Sequence, residues 1–193
     1  MLKRRLLLLA FILVVTGVSA CIFDPPKDND DGDDDDDTTV VFDPLITPES
    51  VISNMEKAYN ARKIQEYKRL LDENFVFFGA PGDVGDGIVP EQWDRATEEL
   101  VNEGLLNKNN TGPYACQTID MDIRMEDGIS WTSSTAPNGE TWYTTSLNYQ
   151  FRFEISPDIF ESLPNSRGDF TVRNAGTAEA PQWRLVEFRD WGR

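Results

Sequence analysis

Trp142-Tyr143-Thr144-Thr145-Ser146-Leu147-Asn148-Tyr149-Gln150-Phe151-Arg152-Phe153-Glu154-Ile155 is a stretch with a period of two. Tyr143, Thr145, Leu147, Tyr149, Phe151, Phe153 and Ile155 share one face. Trp142, Thr144, Ser146, Asn148, Gln150, Arg152 and Glu154 share the other. In a strand, successive side chains point to opposite sides, so this stretch is a strand with one buried face. A strand this long bends, and the sheet around it is expected to be curved.

Its neighbours carry the same period. Ile119, Met121, Ile123 and Met125 alternate with Asp120, Asp122, Arg124 and Glu126. Phe170 to Asn174 and Trp183 to Trp191 supply two more strands. Asp127-Gly128 and Asn138-Gly139 are turn signals, and the segment between them is either a loop or an extra hairpin.

N-terminal to the sheet the period lengthens to that of a helix. Thr47-Pro48-Glu49 combines a capping hydroxyl, a first-turn proline and an acid at the positive end of the helix dipole. Val51, Ile52, Met55, Ala58 and Tyr59 then fall on one face of a helix ending near Asn60. A second helix is expected from Ala61 to Leu71, with Ile64, Tyr67, Leu70 and Leu71 inward, and Phe75-Val76-Phe77-Phe78 is a short buried strand. Gly79 to Gly87, with four glycines, is a loop. It is no phosphate loop, because no Gly-Lys-Ser/Thr follows. Pro90 opens a third helix with Trp93, Ala96, Thr97, Leu100 and Val101 on one side and Asp94 facing solvent. Residues 44–193 thus form a single α+β domain: three N-terminal helices packed on a strongly curved antiparallel sheet.

The element order, the helix-to-helix step Tyr59-Asn60-Ala61-Arg62-Lys63-Ile64, the strand Phe75-Phe78 and the closing Trp183-Arg184-Leu185-Val186-Glu187-Phe188-Arg189-Asp190-Trp191 resemble the nuclear transport factor 2-like superfamily. That cystatin-like group includes polyketide-cyclase-like and ketosteroid-isomerase-like proteins. The resemblance spans about residues 47–191. It implies a cone whose concave side is filled by helices, often around a pocket, and a homodimer. The family's enzymes place an Asp or His base and a Tyr or acid donor inside the cone. This chain has no histidine. Its clearest strand acids, Asp120, Asp122, Glu126 and Glu154, fall on the polar face, so no catalytic residue is assigned. Tyr59 and Tyr67 point inward from helices, and Tyr143 and Tyr149 from the long strand. Tyr59, Trp93, Tyr143 and Tyr149 are the expected contacts for a small apolar ligand, with no metal and no cofactor.

The N-terminus reads as an export signal. Lys3, Arg4 and Arg5 precede an apolar run from Leu6 to Val18, thirteen residues long, against the roughly 20 a spanning helix needs. Val18-Ser19-Ala20-Cys21 resembles a bacterial lipobox, which implies cleavage after Ala20 and lipid attachment at Cys21. Residues 1–20 are then the signal peptide and residues 21–43 a lipid-anchored, acidic, disordered linker. Ile22 rather than Asp after the cysteine points, by resemblance to lipoprotein sorting, to the outer membrane of a bacterial cell envelope.

Residues 22 to 43 hold ten Asp and one Lys, and the whole chain carries -16. That charge argues against a nucleic-acid partner. Aligning Gly32 with the glycine of a calcium loop puts Lys27 at its first ligand position, so no specific calcium site is expected there. With Cys21 lipidated, Cys116 has no partner in the chain and is expected as a buried, inert thiol. Three functions compete, one of them a structural or assembly role in the cell envelope through the polar outer sheet face with Trp142, Asn148 and Arg152. A tethered, non-catalytic binding or interaction module predicts aromatics around a pocket and no titratable group of shifted pKa. A small-molecule isomerase or cyclase needs a buried carboxylate beside a tyrosine such as Tyr143 or Tyr149.

Overall fold

Thr47 caps the first helix, its hydroxyl accepting from Ser50 N at 3.3 Å. That helix, α1 (Pro48–Asn60), buries Val51, Ile52, Met55, Ala58 and Tyr59, the face expected from the spacing. The structure is a computed structural model and describes residues 40–87, 89–110, 116–125, 129–155, 158–161 and 166–192. Cys21, the signal-like stretch, Asp127-Gly128 and the acidic segment up to residue 39 lie outside them. Among the described residues no helix is long and apolar enough to cross a membrane.

After α1 come α2 (Ile64–Leu70), β1 (Leu71–Phe78), α3 (Pro81–Gly85), β2 (Gln92–Asp94), α4 (Arg95–Leu106), β3 (Cys116–Ile123), β4 (Thr132–Thr135), β5 (Thr141–Ile155), β6 (Asp158–Glu161), β7 (Ser166–Asn174) and β8 (Trp183–Gly192). Four helices therefore stand among the described residues, not three. The extra one is a single turn, α3, started by Pro81 inside the glycine-rich stretch expected as a loop. The segment before Asn138-Gly139 is the hairpin alternative: β4 pairs with the first part of β5, and Gly139 takes a positive φ of 87° in the turn.

The sheet runs β2-β1-β8-β7-β5-β3, with β4 and β6 also on β5. All pairs are antiparallel except β1 with β8. β5 changes partners along its length, with β4 and β7 on its first half and β3 and β6 on its second. Bulges on β8, where the register slips opposite Arg167/Gly168 and Thr171/Val172, add bend. The result is a curled, mostly antiparallel sheet with helices against it.

Helix α1 also closes the open edge of β3. Asn60 pairs with the backbone of Met121, donating to its carbonyl at 2.9 Å and accepting from its N–H at 2.7 Å. Glu56 accepts from Ile123 N at 3.1 Å. Side chains of a helix thus occupy edge groups that would otherwise invite another strand.

Candidate functional site

The interior holds a polar network that the apolar periodicity did not reveal. Trp93 lies on β2, not on a helix. β2 pairs with β1 so that Trp93 sits opposite Phe77, their rings stacked at 4.1 Å. Asp94 is then the cap of α4, accepting from Thr97 N at 3.0 Å, which holds its exposed carboxyl below the usual range. This register fixes the phase of α4. Glu98, Asn102, Leu105 and Leu106 turn inward, and Leu100, expected inside, is 48% exposed.

Glu98, only 4% exposed, collects three donors. Tyr67 Oη donates to Oε1 at 2.5 Å, Asn102 Nδ2 to the same oxygen at 2.8 Å, and Trp93 Nε1 to Oε2 at 2.5 Å. Tyr59 Oη donates to Asn102 Oδ1 at 2.5 Å. Burial raises the Glu98 pKa, against the pull of the Tyr67, Trp93 and Asn102 bonds. Burial, and then the Glu98 charge, push both Tyr59 and Tyr67 up. No cation bonds Glu98 among the described residues, so the network carries the carboxyl on hydrogen bonds alone.

A second pair lies where β5, β7 and β8 meet. The Tyr149 hydroxyl lies near Asp190, whose Oδ1 accepts from Gly192 N at 2.7 Å. Burial raises the Asp190 carboxyl, and burial followed by the Asp190 charge raises the Tyr149 phenol. Asp83 on α3 adds to both shifts. Gly168 makes the pair possible: a Cβ there would stand 2.6 Å from Phe188 Cε2 and 3.3 Å from Tyr149 Cε1. The two rings cross over β7 through that gap, edge to face at 5.8 Å.

The expected ligand contacts therefore separate. Tyr59 and Trp93 join one network through Asn102 and Glu98. Tyr149 belongs to the Asp190 pair. Tyr143 is elsewhere, edge-on to Trp183 at 5.3 Å. The expectation of an interior without shifted groups fails at Glu98 and Asp190. Asp190 was legible, because it shares the parity of Phe188; Glu98 was not, because the pairing of β2 sets the phase of its helix. Among the described residues no group of three or more His, Cys, Asp or Glu could hold a metal ion. Cys116 is buried, its thiol bonds Thr118 O at 3.1 Å, and burial raises its pKa.

No protein-family profile matches the chain, and no curated protein sequence matches it. Solved structures do resemble it in fold. An NTF2-like protein of unknown function in nutrient uptake from Rhodospirillum rubrum is 10% identical, with a TM-score of 0.49, over 76% of this chain and 98% of that one. An NTF2-like protein from Cytophaga hutchinsonii is also 10% identical, with a TM-score of 0.46, over 75% and 94%. A Novosphingobium aromaticivorans protein, provisionally described as an aromatic ring hydroxylase, is 12% identical, with a TM-score of 0.49, over 74% and 83%.

Proposed function

We propose that this chain is a lipid-anchored protein of the bacterial cell envelope whose nuclear transport factor 2-like domain binds or contacts other molecules without turnover. One observation carries the non-catalytic part. The carboxyl of Glu98 is buried and already accepts from Tyr67, Asn102 and Trp93, which stand between it and any substrate proton. A general base must reach the proton it removes within hydrogen-bond distance. The anchor rests on Cys21 and the sequence before it, and the outer-membrane address on Ile22. Radiolabelled fatty acid fed to expressing cells should enter the wild-type chain and not Cys21→Ala, and the variant should leave the membrane fraction. Equal labelling of both would end the anchor reading.

Asp190 with Tyr149 favours a second reading, a small-molecule isomerase or cyclase. Here a half-buried carboxyl of raised pKa stands beside a tyrosine, the pairing that proton transfer α to a carbonyl requires. Asp190 would be the base and Tyr149 the hydrogen-bond donor. A panel of enolisable ketones in deuterated water tests it. Exchange that Asp190→Asn abolishes would replace the first reading with this one.

A further inference from the structure

Outside the cone, the segment leading into α1 forms a pocket of about 370 Å³ with α1, α2 and the β7–β8 turn. We propose that this pocket binds the carboxylate of a small organic anion, with Arg184 and Arg69 on the carboxylate and Phe42, Leu45 and Ile46 along the apolar body. The wall is fixed. Trp183 N donates to Leu45 O at 2.8 Å, and Asn54 pairs with the backbone of Asp43 in both directions at 2.8 Å. Its volume is within the roughly 300–1,000 Å³ of small-molecule sites.

Charge selects the ligand. Asp43, Glu66, Arg69 and Arg184 are the charged residues that line the pocket, and Arg184 is the one of them without an ion pair among the described residues. The half-buried Arg184 donates to the carbonyl of its neighbour Trp183 at 3.0 Å. Burial, then the charges of Arg69 and Arg95, disfavour its protonated form. The acid that helps it, Asp72, is already bound to Arg173 at 2.6 Å. The other charges lining the pocket are matched: Asp43 holds Lys57 at 2.8 Å, and Glu66 holds Arg69 at 3.0 Å. One guanidinium is left over, which suits a monoanion. A guanidinium takes a carboxylate through two parallel bonds, and Glu66 beside it repels the second charge of a phosphate dianion.

The site gives the non-catalytic reading its ligand class and rests on it. Isothermal titration of the full chain in detergent with sodium benzoate, benzamide and inorganic phosphate tests it. Benzoate is expected to bind one to one in the millimolar range or tighter, and benzamide is expected not to bind. Arg184→Gln and Arg69→Gln should each weaken benzoate about tenfold. Arg69 is largely exposed, so its variant stays folded if Arg184→Gln does not. Equal binding of benzamide, stronger binding of phosphate, indifference to both arginines, or no saturable benzoate binding would each overturn the site. Those failures differ from that of the parent reading, which falls only to turnover dependent on Asp190.

Discussion

Tyr67 donates its hydroxyl to Glu98 Oε1 over 2.5 Å in the middle of the core, and this contact ties α2 to α4. Its worth is measurable. Tyr67→Phe keeps the ring and removes one donor, so it should cost about 1–2 kcal/mol. Glu98→Ala leaves the Tyr67, Trp93 and Asn102 donors without an acceptor and opens a cavity, and should cost roughly 3–5 kcal/mol. Leu100→Ala on the exposed side of the same helix should change stability by less than about 0.5 kcal/mol. Urea midpoints followed by tryptophan fluorescence give all three. Equal effects of Glu98→Ala and Leu100→Ala would show that the network contributes nothing.

The same burial predicts how stability depends on pH. Glu98, Asp190 and Glu56 all have folded pKa values raised by burial. The folded state then holds protons that the unfolded chain has already released. Their contribution is complete below the ordinary carboxylate range and is lost as pH rises through the folded values. Asp43 and Asp94 are lowered and act in the opposite sense at more acidic pH. Unfolding free energy should therefore decline as pH rises above the ordinary carboxylate range, and Glu98→Gln should flatten the decline. An unchanged slope in that variant would mean that Glu98 does not titrate there.

Gly168 is a third test. A methyl group there meets Phe188 Cε2 at 2.6 Å. That ring cannot give way, because it stacks on Phe170 at 4.7 Å and stands edge-on to Phe77 at 5.4 Å. Gly168→Ala should cost about 1–3 kcal/mol by overpacking. In a crystal structure of the variant, the Tyr149 ring should shift relative to Asp190. Gly104→Ala, where nothing lies within 4 Å of the new carbon, is the control and should be neutral or mildly stabilising.

These residues also mark where sequence reading succeeds. Val51, Ile52, Met55, Ala58 and Tyr59, and the set Thr145, Leu147 and Tyr149, were legible because each element has one apolar face against one core. α4 was misread because its phase is set from outside. The pairing of Trp93 with Phe77 decides where the helix begins, and so which side a glutamate and an asparagine take. Local apolar spacing cannot register that, since the network satisfies its polar groups through residues four to 43 positions away. β7 begins at Ser166, earlier than its apolar part at Phe170, because Gly168 contributes space instead of a side chain.

Arg62 is the last such long-range clamp. It sits at the α1–α2 turn with φ at 56°, a left-handed conformation that glycine favours. From there its guanidinium donates to Leu105 O at 2.9 Å, Cys116 O at 2.6 Å and Gln117 O at 3.2 Å. One side chain thus gathers the end of α4 and the start of β3. Arg62→Ala retains the backbone penalty and removes the clamp, so its cost isolates the guanidinium at about 2 kcal/mol. Arg62→Gly removes both, and should be more stable than Arg62→Ala by about 1 kcal/mol. Chemical denaturation of the three proteins reads both quantities. If Arg62→Gly matched the wild type, the three bonds would be worth no more than the relief of strain. If Arg62→Ala matched the wild type, the guanidinium would not join the two elements at all.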